Sequence, residues 1–297
     1  MRHVDAVTER ILPVGGARLF VREIGQGTPV VVLHGGPSLD LGYLLPELDD
    51  LADTFRLISY DQRGRGRSRH GVRPEDVTVA SEIEDLEHVR ATLGLESMAL
   101  AGHSWGGLLA MEYATTHPDR LSHLVLLNTA PASHAGFSLF GDHLARIRAA
   151  GEAELMQEIE STDEYLRGDV EAAAAYDRIH FAPAFAAPAL VEELVSRLGA
   201  RTDERGIVES RAISDRLFDE TWRNVGYDLT PRLRTLTVAT LLVHGDHDFI
   251  PIEVVEHIAD AIPGAVLHVL AGCGHFPLLE APSRLHALLT EFVQPSD

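Results

Sequence analysis

The chain has 297 residues and a formal charge of −20, from 45 acidic side chains against 25 basic ones, all of them arginine. With 45% apolar and 24% charged residues it can bury a large core, which excludes intrinsic disorder. A field of that sign repels phosphate backbones and anionic headgroups, so neither nucleic acid nor a membrane surface is expected as a partner, whereas cationic groups are attracted.

The opening, MRHVDAVTERILPVGG, lacks the apolar core of a signal peptide, and no run approaches the roughly 18 apolar residues of a membrane span. A cytoplasmic location is the default expectation. Strands are predicted at Pro29–His34, Phe55–Tyr60, Ser97–Ala101 and Leu121–Leu127, each a short β-branched or apolar run. Between the second and third lies SEIEDLEHVRATL, with Ile83, Leu86, Val89 and Leu93 on one helical face and a capping box expected from Ser81 to Glu84. Alternation of strands and helices predicts an α/β fold with a mostly parallel central sheet flanked by helices.

The rhythm changes after residue 131. From Ala132 to Pro231 alanine, glutamate and arginine dominate, which predicts a helical cap inserted between core segments 1–131 and 232–297. Strands resume at Thr237–His244 and Ala265–Leu270, with a helix between them whose first turn should hold Pro251. A last helix is expected at Ser283–Val293. Cys273 is the sole cysteine, so no disulfide can close within the chain, and a buried thiol is its expected state.

The strongest chemical signal is Gly102-His103-Ser104-Trp105-Gly106, between a predicted strand and a helical pattern. Small residues two positions to either side let the backbone turn sharply there and push the serine hydroxyl into the open. Such a hydroxyl needs a base to take its proton and a carboxylate to orient that base. His275 follows the AVLHVL strand in a glycine-flanked loop and is the expected base. Asp248 follows the TLLVH strand and is the expected carboxylate; its rival Asp246 is better placed to fold back into the turn.

Two amides are needed for the oxyanion. One is the N–H of Trp105, at the start of the elbow helix. The other is expected from His34-Gly35-Gly36-Pro37, with Gly36 chosen and Gly35 the alternative. Asp61 and the arginines of DQRGRGRS (61–68) are expected to satisfy one another and nearby carbonyls. His244 and His247 lack a completing ligand pattern, so no metal is expected, and no cofactor is implied.

In these motifs the sequence resembles the proline iminopeptidase (prolyl aminopeptidase) family of α/β-hydrolases. The matching stretches are HGGP (34–37), DQRGRGRS (61–68), GHSWGG (102–107), GDHDFIP (245–251) and GCGHFPLLEAP (272–282). The resemblance gives Ser104, Asp248 and His275 the triad roles and Trp105 and Gly36 the oxyanion roles. It departs at Ser38, where the family has glycine, and in the cap, which carries none of the family motifs. The resemblance implies that cap carboxylates hold the substrate's amino end; Glu192, Glu193, Glu209, Asp215 and Glu220 are available, and nothing in the sequence selects among them. The implied activity is release of N-terminal proline or a small residue from short peptides. The alternatives are an esterase, lactonase or amide hydrolase for a small metabolite, and a ligand-binding receptor on the same fold. The sequence sets no oligomeric state.

Overall fold

Strands buried on both faces need no alternation of apolar and polar residues, which is why short continuous runs suffice. The computed structural model describes residues 6–200 and 203–293. In chain order its strands are β1 (Thr8–Val14), β2 (Ala17–Ile24), β3 (Thr28–Leu33), β4 (Phe55–Tyr60), β5 (Met98–His103), β6 (Leu121–Leu127), β7 (Ala239–Gly245) and β8 (Val266–Leu270). They form one sheet in the order β1-β2-β4-β3-β5-β6-β7-β8. From β3 onward all pairs are parallel, whereas β2 joins β4 antiparallel and β1 folds back on β2. All six residues of β5, at the centre, are buried.

The six expected strands are β3 to β8; β4 and β6 match at both ends and the others are displaced by at most two residues. The β1–β2 hairpin was not foreseen, because arginines and glutamates interrupt its apolar runs. Its outer strand leaves one face exposed and tolerates them. The signal available was Gly15-Gly16, whose φ values of 45° and 85° form the two-residue turn that joins twisted antiparallel strands.

The helices are α1 (Val79–Thr92), α2 (Trp105–Thr116), α3 (His134–Ile147), α4 (Glu152–Glu160), α5 (Asp163–Leu166), α6 (Val170–Phe181), α7 (Leu190–Gly199), α8 (Glu204–Glu220), α9 (Thr230–Leu233), α10 (Ile252–Ala261), α11 (Pro277–Glu280) and α12 (Pro282–Phe292). Helices α3 to α8 all lie between β6 and β7 in sequence. The chain leaves and returns through a narrow neck, where Ser133 and Asp228 form an antiparallel bridge. The His134 N–H donates to Tyr227 O and the Leu229 N–H to Ala132 O, both at 2.9 Å. Pro251 sits one residue ahead of α10 rather than inside its first turn, in an extended conformation that its ring permits. Among the described residues no helix is long and apolar enough to cross a membrane.

Two local expectations are corrected. Helix α1 starts a turn earlier than the Ser81–Glu84 box implied: Thr78 is the cap, its hydroxyl accepting from the Ser81 N–H at 3.0 Å while Ser81 Oγ accepts from the Thr78 N–H at 2.9 Å. Serine is long enough for this reciprocal bond because Thr78 is extended, and Glu84 points outward. In the 61–68 loop Asp61 pairs with Arg67 and Arg65 donates to the Arg63 carbonyl oxygen, as expected, but Asp61 does not pair with the other arginines. Arg63 forks onto Asp85 and the fully buried Arg65 binds Glu82, both carboxylates coming from α1. A buried guanidinium requires such a partner, and the covering helix supplies it.

Removing the Thr78 hydroxyl leaves a first-turn amide without its acceptor. Thr78→Ala is expected to lower unfolding stability by about 1 kcal/mol. Glu84→Ala, on the exposed face, should change it by less than about 0.5 kcal/mol. Urea denaturation of both variants compares the two caps directly.

Candidate active site

The carboxyl edge of the parallel strands gathers three loops. At the end of β5 the chain turns through Ser104, at φ 53° and ψ −117°, directly into α2. A Cβ on Gly102 would meet Gly106 O at 2.2 Å, and one on Gly106 would meet Leu33 O at 2.3 Å, so strand and helix approach within backbone contact. Main-chain bonds hold the turn: the Ser104 N–H donates to Leu127 O, and Ser104 O accepts from Gly107 and Ala130. The serine side is half-buried and lines a cavity of about 850 Å³ beneath the inserted helices.

His275, on the loop after β8, is buried and lines the same cavity. Its Nδ1 lies 2.9 and 3.0 Å from the two carboxylate oxygens of Asp248. A carboxylate only accepts, so Nδ1 carries the hydrogen and Nε2 is left as the basic atom. Asp248 also accepts from Asn128 Nδ2 at 2.6 Å and from the Ile250 N–H at 2.9 Å. Burial pushes the Asp248 carboxyl up, but the charges of His275 and His244 and the bonds from His275 and Asn128 outweigh it and hold the group below the usual carboxylate range. Asp246 instead contacts its neighbour His247 and accepts from the Cys273 amide on the loop after β8. Among the described contacts no hydrogen bond joins Ser104 Oγ to His275; such bonds commonly tighten only when substrate is bound.

The two candidate glycines differ. The Gly35 N–H donates to Tyr43 Oη at 2.7 Å and is thereby used. Gly36, at φ 130°, lines the cavity, and among the described residues neither its amide nor that of Trp105 is hydrogen-bonded to the protein. His244 donates from Nε2 to Ile250 O and turns Nδ1 toward Asp248 at 3.4 Å, whereas His247 is exposed. Burial pushes the Cys273 thiol up to about 12, which keeps it protonated.

The inserted helices contribute aromatic walls. Phe137 stacks on Trp222 with centroids 4.8 Å apart, and Phe218, Phe140 and Phe249 continue the surface toward His275. The five carboxylates named from the sequence lie mostly elsewhere. Glu192, Glu193 and Glu209 are paired with Arg178, Arg197 and Arg205, and Glu220 binds Arg216 and the Val79 amide. Asp215 lines the cavity but is paired with Arg223. The carboxylate that stands out is Asp177 on α6, which the sequence did not select. It lines the cavity and has no hydrogen-bonded or ion-paired partner among the described residues. Burial pushes it up to about 6, partly offset by the more distant charge of Arg211. Asn128 was also missed, although its place just after β6 was a usable signal.

The chain belongs to the alpha/beta hydrolase fold family, whose model matches residues 28–282. Within it, the sequence is 30% identical to a proline iminopeptidase from Lactobacillus delbrueckii subsp. bulgaricus, over 98% of this chain and 99% of that protein. The structure resembles the proline iminopeptidase of Mycobacterium smegmatis, with a TM-score of 0.70 and 25% identity over 96% of this chain and 97% of that one. An N-acyl homoserine lactone degrading enzyme shares the fold equally well, with a TM-score of 0.70 and 22% identity over 96% of this chain and all of that one.

Asn128 bears directly on the charge of Asp248. Because the folded carboxyl lies below its ordinary value of 3.8, its contribution to stability is complete above that pH and is lost as pH falls through the folded value. Asn128→Gly removes the amide donor while accommodating the residue's φ of 44°. The variant is expected to begin acid unfolding at higher pH than the wild type, followed by circular dichroism; coincident acid transitions would contradict this account of Asp248.

Proposed function

We propose that this hydrolase acts through an acyl-enzyme on Ser104 and releases N-terminal proline or a small residue from short peptides. His275 Nε2 takes the proton of Ser104 Oγ as that oxygen attacks the substrate carbonyl carbon. The amides of Trp105 and Gly36 receive the oxyanion, and Asp248 stabilises the imidazolium through Nδ1–H. The imidazolium then gives its proton to the leaving nitrogen as the C–N bond breaks. Water repeats the sequence on the acyl group, losing its proton to His275, which returns one to Ser104.

The peptidase reading rests on Asp177. An ester or lactone gives a desolvated carboxylate nothing to bind, whereas the primary or, for proline, secondary ammonium end of a peptide gives it a charge-assisted partner. The acidic net charge and the likeness to proline iminopeptidases point the same way. Turnover of small apolar esters is the second reading, favoured by the aromatic walls, which need no charged substrate. The segment 132–231 is, on either reading, the cap that covers Ser104 and selects the substrate.

Two measurements test this. Ser104→Ala should abolish labelling by a fluorophosphonate; labelling retained at another residue would contradict the nucleophile assignment. Asp177→Asn should raise KM for proline arylamide by about 10- to 100-fold, the worth of one charged hydrogen bond. Hydrolysis of p-nitrophenyl acetate should be unchanged. In the wild type, KM for proline arylamide should rise as pH falls below about 6, where Asp177 takes up a proton and loses its attraction for the amine. A KM that is flat across that range, or unmoved by Asp177→Asn, favours the esterase.

A further inference from the structure

His103, the last residue of β5, is buried beside Ser104 and has both ring nitrogens engaged. Its Nε2 lies 2.7 Å from the carbonyl oxygen of His275. That oxygen only accepts, so Nε2 carries the hydrogen. Burial, with the charge of His275, holds the ring down to about 3, so it is neutral and Nδ1 is a bare lone pair. Tyr43 Oη, 2.6 Å from Nδ1, must therefore donate to it. A lone pair of the same oxygen receives the Gly35 N–H at 2.7 Å. Each donor meets one acceptor, and the chain runs in a single direction from Gly35 to the main chain of His275.

We infer that Tyr43 and His103 are positioning residues that fix the loop bearing His275 against the loop bearing Gly36, with Ser104 between them. The inference rests on the proposed roles of Ser104 and His275. The two loops follow β8 and β3, which are separated in the sheet by β5, β6 and β7. Strand pairing stops at the strand ends, so side chains must set the spacing beyond them.

The packing leaves little slack. A Cβ on Gly35 would lie 2.8 Å from Tyr43 Oη, 3.1 Å from Ser104 Cβ and 3.2 Å from His103 Nδ1. His275 is gripped on its other side as well, where its N–H donates to Ala184 O at 2.7 Å. With N–H and C=O both committed, the imidazole is aimed by a fixed main chain. The same chain uses the Gly35 N–H, whereas the amide of the cavity-lining Gly36 has no protein partner among the described residues.

The test uses the full-length chain and reads the rate of fluorophosphonate labelling at Ser104, together with kcat and KM for p-nitrophenyl acetate. Tyr43→Phe and His103→Phe should slow labelling and kcat by up to about 100-fold, the scale of a misplacement near 1 Å, with KM changed by less than about twofold. His103→Gln, whose amide N–H can reach the same carbonyl, should recover about tenfold of that loss. Wild-type labelling in a cooperatively melting Tyr43→Phe protein overturns the inference, as does a glutamine no better than phenylalanine at 103. In the unaltered protein, ¹⁵N spectra of the histidines should show His103 as the neutral Nε2–H tautomer; an Nδ1–H tautomer or an imidazolium overturns it without any variant. Labelling that survives Ser104→Ala overturns the underlying nucleophile assignment too, whereas labelling lost there but undiminished in Tyr43→Phe defeats the positioning roles alone.

Discussion

The geometry of the site depends on how closely β5 and α2 approach each other across Ser104. A residue with a side chain in the left-handed region costs about 1–3 kcal/mol and persists only where its surroundings over-determine it. Here they do: the residue's amide and carbonyl are committed, Gly102 and Gly106 stand in backbone contact, and Trp105 and Leu108 are completely buried in the first turn of the helix. Burial of strand and helix therefore sustains the strained turn. The polar groups around it inherit their positions from the apolar core.

Electrostatically the interior differs from the surface. Acidic groups outnumber arginines overall, yet many of the arginines are drawn into local pairs, and the buried rings of His34, His103 and His180 are held neutral. Burial pushes His34 and His180 down to about 4, and His34 spends Nε2 on the Gln62 amide. Against that background Asp248 is kept ionised by convergent donors directly behind His275. On the proposed mechanism, a positive charge arising on the imidazole meets a fixed negative one without any reorganisation. Asp177 is the contrasting case, a carboxylate left without a local cation on the far wall.

Legibility in the sequence followed the physics of each feature. Ser104, Asp248 and His275 could be singled out because each follows a strand whose apolar run is itself visible, and the order of the three is characteristic. The β1–β2 hairpin was hidden because an edge strand accepts charge on its open face. Asn128 was overlooked although its place just after β6 was a signal, whereas Tyr43 and His103 were passed over for a different reason. Their importance lies in contacts between segments as much as 172 residues apart, as from His103 to His275, and no local pattern encodes such a contact. Asp177 was indistinguishable from the other acidic residues of the insertion until the folded helices showed which of them had been matched with arginine and which had been left facing the cavity.

The neck at Ser133 and Asp228 has an architectural consequence. Strands β6 and β7 are neighbours in the sheet, so any segment joining them begins and ends at nearly the same place. The antiparallel bridge seals that junction with its own pair of main-chain bonds, drawing little on the identity of the side chains. What lies beyond the seal is free to diverge in length and composition without disturbing the register of the sheet. On the proposed reading such a scaffold can exchange its recognition module while keeping its reaction centre; a proline iminopeptidase and an N-acyl homoserine lactone degrading enzyme share this fold at the same TM-score of 0.70.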